Sequence, residues 1–123
     1  MTNDRSYRCF WASALCFALL TFGPVWAQNQ HEMNQQAAKE YEASDAELNR
    51  LWKEVLLNLT PSVKDKLIES QLQWIKYRDS EAEAAAARFE GGSLAPMIYS
   101  GSLKRTTNQR IEDLRRWLDD ASY

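Results

Sequence analysis

Histidine and cysteine, the side chains most often recruited for metal ligation and nucleophilic chemistry, are almost missing from this chain of 123 residues. There is one histidine, His31, and there are two cysteines, Cys9 and Cys16, both near the start. Beyond residue 27 no thiol remains, so a disulfide framework or a thiolate nucleophile is excluded there. Proline occurs three times and glycine four times, so few positions interrupt a helix. No segment past residue 27 alternates apolar and polar residues in the manner of a strand. Charge of neither sign dominates, with 15 Lys+Arg against 17 Asp+Glu, which speaks against nucleic acid as a partner.

These absences leave little for catalysis to use. A metal site needs clustered His, Cys or carboxylates at ligand spacing. Glu40/Glu42, Asp45/Glu47 and Glu81/Glu83 are close in sequence, but such pairs ordinarily form solvated helix faces. A paired-carboxylate hydrolase is the enzymatic alternative they leave open. No catalytic residue, metal site or cofactor is expected, and the chain does not read as an enzyme.

What is present begins with a leader. Arg5 and Arg8 make a short basic region, and Cys9 to Phe22 is mostly apolar. Gly23-Pro24 is expected to break a helix, and Val25-Trp26-Ala27 places small residues where a signal peptidase reads them. The apolar run is shorter than the ~20 residues a membrane-spanning helix needs. Cys16 follows Ser13-Ala14-Leu15, a poor lipoprotein cleavage box. Residues 1–27 are therefore read as a Sec-type signal cleaved after Ala27, with no stable membrane anchor afterwards and a periplasmic or secreted location. Cleavage removes Arg5, Arg8 and Asp4, leaving 13 basic and 16 acidic residues and a net charge of −3. The remaining 96 residues, 28–123, suffice for one domain with one core, held by packing alone.

Three long helices account for that domain. From Glu32 to Leu59, apolar residues at Met33, Ala37, Tyr41, Leu48, Trp52, Val55 and Leu59 step by threes and fours, with a gap at Ser44-Asp45. Thr60-Pro61 is a stop-and-start signal, with Thr60 as N-cap and Pro61 at the first helical position. A second helix follows from Pro61 to about Glu90. Gly91-Gly92-Ser93 ends it through a left-handed glycine, and Ser93 is expected to cap a third helix from Leu94 to about Asp119. A phosphate-binding reading of that glycine turn fails, since no strand precedes it and no Lys-Ser/Thr follows. Gly101 is expected to bend or thin the third helix. The fold class is all-α, an antiparallel three-helix bundle in which short turns set helix one against helix two and helix two against helix three.

One polar residue on a core stripe fixes the expected register. In the second helix Leu67, Gln71, Trp74, Arg78, Ala82, Ala85 and Phe89 share a face, and a charge on that face needs a partner. Residues opposed across the first hairpin should have numbers summing to about 121 or 122. That sets Arg78 opposite Asp45, in the gap of the first helix's stripe, with Trp74 opposite Leu48 and Gln71 near Asn49. The expectation is a buried Arg78–Asp45 pair with Asn49 and Gln71 beside it, serving to fix register rather than to bind a ligand. In the second hairpin Arg110 is expected opposite Gln73, with Glu69 as its partner. Asp45, Asn49, Gln71, Arg78 and Arg110 thus form a structural polar core. The middle strut of this scheme is the second helix.

The same residues carry a resemblance. Glu32-Met-Asn34, Ala43-Ser-Asp-Ala-Glu-Leu-Asn49, Gln71-x-x-Trp-Ile-x-Tyr-Arg-Asp79, Glu90-Gly-Gly-Ser-Leu-Ala-Pro-Met97, Leu103 and Thr107-x-x-Arg110 resemble the DUF1311 group, the lysozyme inhibitor LprI-like domains of bacterial secreted proteins. The ordered set covers nearly all of residues 28–123. Members usually carry cysteines where Gln36, Ala82 and Ser102 stand here, with one more upstream. The resemblance implies that Ala82 and Ser102 face each other across the second hairpin, and that this chain lacks a staple worth roughly 2–4 kcal/mol.

The resemblance also implies a secreted binding protein that inhibits a cell-wall glycan hydrolase by protein–protein contact, with lysozyme or another envelope or secreted protein as partner. The alternative is a periplasmic helical adaptor or toxin-immunity module with a different protein partner. Candidate contact residues are the aromatics Tyr77 and Tyr99 and the corner at Ser93, since exposed aromatic residues often anchor interfaces.

Overall fold

The computed structural model describes residues 23–120. They form α1 (Gly23–Leu57), α2 (Pro61–Ala87) and α3 (Ala95–Asp120), with no strand among the described residues. The chain is all-α, as its pattern requires. The second and third helices begin and end within a few residues of the expected positions. The first starts nine residues earlier than Glu32. Gly23-Pro24 lies in its first turn, where proline is tolerated. Nothing between Pro24 and Glu32 then stops the helix. Residues 1–22, most of the expected signal, lie outside the described residues, and α1 runs unbroken past Ala27.

The two turns are closed mainly by backbone. Thr60 is extended, with φ −65° and ψ 154°, and no side-chain cap is formed; its carbonyl accepts from the Lys64 amide at 2.9 Å. Gly91 takes the left-handed conformation, φ 76°, that favours glycine. The cap of α3 is Leu94 and not Ser93, since the Leu94 carbonyl accepts the first helical bond, from the Ile98 amide at 3.0 Å. Gly101 sits inside an uninterrupted α3, and a Cβ there would meet nothing within 4 Å.

The packing order differs from the expected one. The backbones of α1 and α2 each lie close along α3 and hardly approach one another, so α3 is the middle strut. Side-chain size explains the choice. Helix α3 buries Ser102, Thr106 and Thr107, small residues that let neighbours come near. Between α1 and α2 stand Tyr41, Trp74 and Arg78, which hold the helices apart and join them through their ends. Helix α1 is parallel to α3, and ion pairs follow in the same order along both: Glu40–Lys104 at 2.6 Å and Glu47–Arg115 at 3.4 Å.

The apolar core sits toward the α1–α2 turn. Leu48, Leu51 and Val55 meet Leu67 of α2 and Ile111 and Leu114 of α3, with Trp52, Leu59, Trp74 and Leu118 packed around them. Each fully buried aliphatic side chain contributes roughly 1.5–3 kcal/mol. Toward the other end the buried residues are Ala82, Ser102, Leu103, Thr106 and Thr107, of which all but Leu103 are small or polar. The Thr106 hydroxyl donates to the Ser102 carbonyl at 3.1 Å. The Thr107 hydroxyl is buried with no partner among the described residues. Ala82 and Ser102, where cysteines of relatives were expected, are both buried, whereas Gln36 is exposed and donates to Glu40 at 3.0 Å.

Candidate functional site

Two arginines share one tryptophan at the centre of the molecule. Trp74 points inward from the middle of α2. The Arg78 guanidinium lies 5.2 Å from its ring centre and the Arg110 guanidinium, from α3, 5.9 Å. Arg78 is also 5.8 Å from the ring of Tyr41 on α1. Cations over aromatic faces are attracted by the ring quadrupole, so Trp74 offsets part of the repulsion between the two like charges that share it.

The two arginines differ in how their charge is met. Arg78 gives Asp79 Oδ1 its Nε–H at 2.9 Å and a terminal N–H at 2.8 Å, and lies 3.5 Å from Asp45. Burial works against its charge, but the bond to Asp79 and the nearby Tyr41, Asp79 and Asp45 prevail and raise its pKa. The expected Asp45 contact is present, though it is the longer of two and not sealed. The Asp45 side chain is 38% exposed, while that of Arg78 is 13% exposed. Tyr41, desolvated beside this cluster, has its hydroxyl pKa raised despite the positive charge of Arg78.

Arg110 has no carboxylate within ion-pair distance among the described residues. Its Nε–H donates to Gln71 Oε1 at 2.9 Å and a terminal N–H reaches Ser70 Oγ at 3.4 Å. Burial lowers its pKa, opposed only by Asp113, which is itself paired with Arg116 at 3.2 Å. These contacts correct two expectations. Arg110 meets Gln71 and Ser70 rather than Gln73 and Glu69, because the α2–α3 register lies about two residues from the expected one. Gln71 is buried with its carbonyl oxygen turned to α3, so Asn49 is not its neighbour. Asn49 is exposed and donates to Asp45 at 3.0 Å.

The three candidate contact residues do not converge. Tyr77 is 55% exposed on α2. Tyr99 is half-buried near the start of α3, close enough to influence Tyr41. Ser93 is exposed in the α2–α3 turn, and its carbonyl accepts from Asn34 Nδ2 at 3.1 Å. Sequence reasoning missed Asp79, which adjoins Arg78, because it sought partners only across the hairpin. It also missed the α1–α3 ion pairs, because it set α1 against α2 alone.

Two open grooves follow the α1–α3 seam. One, of about 870 Å³, is lined by Ser44, Glu47, Lys104, Arg105, Asn108 and Arg115 among others. The next, of about 790 Å³, is lined by Met33, Ala37, Glu40 and Met97, and Gly101 borders both. No group of three or more His, Cys, Asp or Glu is placed to hold a metal among the described residues. No described helix is long and apolar enough to cross a membrane.

The architecture is that of a small helical domain whose inward polar residues, Thr107 apart, are hydrogen-bonded or ion-paired, with its remaining chemistry on outer flanks. The sequence model described as Lysozyme inhibitor LprI matches residues 25–114, and the chain belongs to that family. It is also 32% identical over 108 residues to an uncharacterized protein of Rhizobium meliloti (strain 1021), covering 77% of this chain and 78% of that one. No solved structure matches.

Proposed function

We propose that this protein acts outside the cytoplasm, after removal of residues 1–27, as an inhibitor that binds a lysozyme-class glycan hydrolase through protein–protein contact. Family membership over residues 25–114 carries this reading. The fold is compatible with it: three long helices packed on a shared core offer a stiff surface, so little ordering entropy opposes binding. A modestly acidic protein is also drawn to basic hydrolases by long-range attraction. A muramidase assay with c-type and g-type lysozymes tests the proposal. Activity should fall in proportion to added protein and saturate near one to one; no loss of activity with either type at micromolar excess removes its main support.

A further inference from the structure

Arg110 is the partly buried arginine whose charge no carboxylate meets among the described residues. Arg78 shares Trp74 with it and has two. Arg50, Arg115 and Arg116 are each paired with at least one acid. Arg88 and Arg105 have no such pair among the described residues but are exposed to water. A half-desolvated guanidinium with one fork edge on a glutamine and a serine retains donors that suit a planar carboxylate.

Its surroundings have the composition of a binding hot spot. Tyr77 and Trp117 are 55% and 38% exposed. Trp117 lies two turns beyond Arg110 on the same flank of α3. Tyr77 lies two turns from Ser70 on the flank of α2 from which Ser70 meets Arg110. Because α2 and α3 run antiparallel, the two aromatics fall on opposite sides of Arg110, each ~10 Å away along the helix axes. Tyrosine, tryptophan and arginine are the residues that most often dominate interface energetics.

We infer that Arg110 is the receiving site for a carboxylate of a protein partner, with Tyr77 and Trp117 as its apolar flanks. This deepens the proposed inhibition by naming the contact surface, and rests on that proposal only for the identity of the partner. A guanidinium recessed between two helices cannot reach to the floor of a catalytic cleft. It accepts an aspartate or glutamate that projects from the partner's surface, so the inhibitor covers the enzyme rather than probing it. The incoming carboxylate adds to the partial counter-charge of Asp113, which is paired with Arg116 and does not reach ion-pair distance of Arg110.

Two measurements test the inference. In the first, arginine Nε–H resonances of the full protein are followed as chloride is exchanged for acetate at constant ionic strength, and then for phosphate. The Arg110 signal should shift saturably with acetate, while those of Arg78 and Arg88 stay near their starting positions. A response no larger than that of Arg88, or a stronger response to phosphate than to acetate, overturns the carboxylate site. In the second, Arg110→Gln should weaken binding to a lysozyme that the inhibition assay selects by about thirtyfold or more; Tyr77→Ser should weaken it with unchanged melting, and Trp117→Ser should weaken it when assayed below its own melting transition. Wild-type affinity in all three overturns the surface; if Arg110→Gln does not fold, the two aromatic variants decide. Acetate binding at Arg110 without capture of any lysozyme leaves the site standing and defeats the lysozyme reading.

Discussion

The Arg78 guanidinium stands 5.2 Å from the centre of the Trp74 ring, one turn earlier on the same helix. Its charge is divided between Asp79 and Asp45, whose side chains are 42% and 38% exposed. Water therefore reaches both acids, and loss of the arginine strands neither.

The cost of removing Arg78 follows from that exposure. A sealed pair broken on one side loses ~3–5 kcal/mol, since a charge is left buried alone. Here Arg78→Met keeps an unbranched stem in place and leaves two hydrated carboxylates, so the expected loss is ~1–2 kcal/mol. Thermal melting reads this directly, at about 4–8 °C per kcal/mol for a domain of this size. A loss of ~4 kcal/mol or more would mean that the acids are sealed in solution.

Acid should loosen the α1–α3 seam. Glu40 has its pKa held below the usual carboxylate range, first by its hydrogen bond from Lys104, then by Gln36 and the Lys104 charge. Glu47 is likewise lowered, chiefly by its hydrogen bond with Arg50 and secondarily by Arg115. A carboxylate whose folded-state pKa lies below its unfolded value stabilises the fold above the unfolded pKa. That contribution disappears as pH falls through the folded-state value. The melting temperature should thus hold from neutral pH to about 5 and decline toward 3. Lys104→Met should make the decline shallower; an acid limb identical to wild type would show that the Glu40 pair contributes none of it.

Thr107 offers a gain. Its hydroxyl is fully buried without a partner among the described residues, and an unmade hydrogen bond in the interior costs ~1–3 kcal/mol. Thr107→Val replaces the hydroxyl by a methyl group of similar size. Urea unfolding should show stability unchanged or raised by up to ~1 kcal/mol with the same dependence on denaturant. A clear loss would identify a bonding partner for the hydroxyl in solution.

Helix positions and faces were legible because they depend on neighbours in sequence. Leu67, Gln71 and Ala82 recur at helical spacing, and all three are buried. Thr60-Pro61 and Gly91 mark the turns through local backbone preference. Which helices lie closest was not legible in the same way. It depends on comparing sizes across the molecule, where Ser102, Thr106 and Thr107 let α3 approach its neighbours and Tyr41, Trp74 and Arg78 hold α1 off α2. The arginine seam was half legible. Arg78 announced itself as a charge on an apolar stripe and Asp45 as the gap that faces it. Arg110 was expected to have an acid, and its neighbours Gln71 and Ser70 emerge only from a register shift of about two residues.

The parallel contact of α1 with α3 joins positions far apart in the chain, 64 residues for Glu40–Lys104 and 68 for Glu47–Arg115. The widest interface in the molecule therefore joins helices separated in the chain by a whole helix, and needs the chain to reverse twice. Neither α1 with α2 nor α2 with α3 alone contains it. Long-range closure of this kind slows folding relative to bundles built from adjacent hairpins. During synthesis α1 and α2 emerge before the helix that covers them both. Until α3 arrives, Leu48, Leu51, Val55 and Leu67 have no complete core to enter, and the nascent chain presents them to whatever else is near.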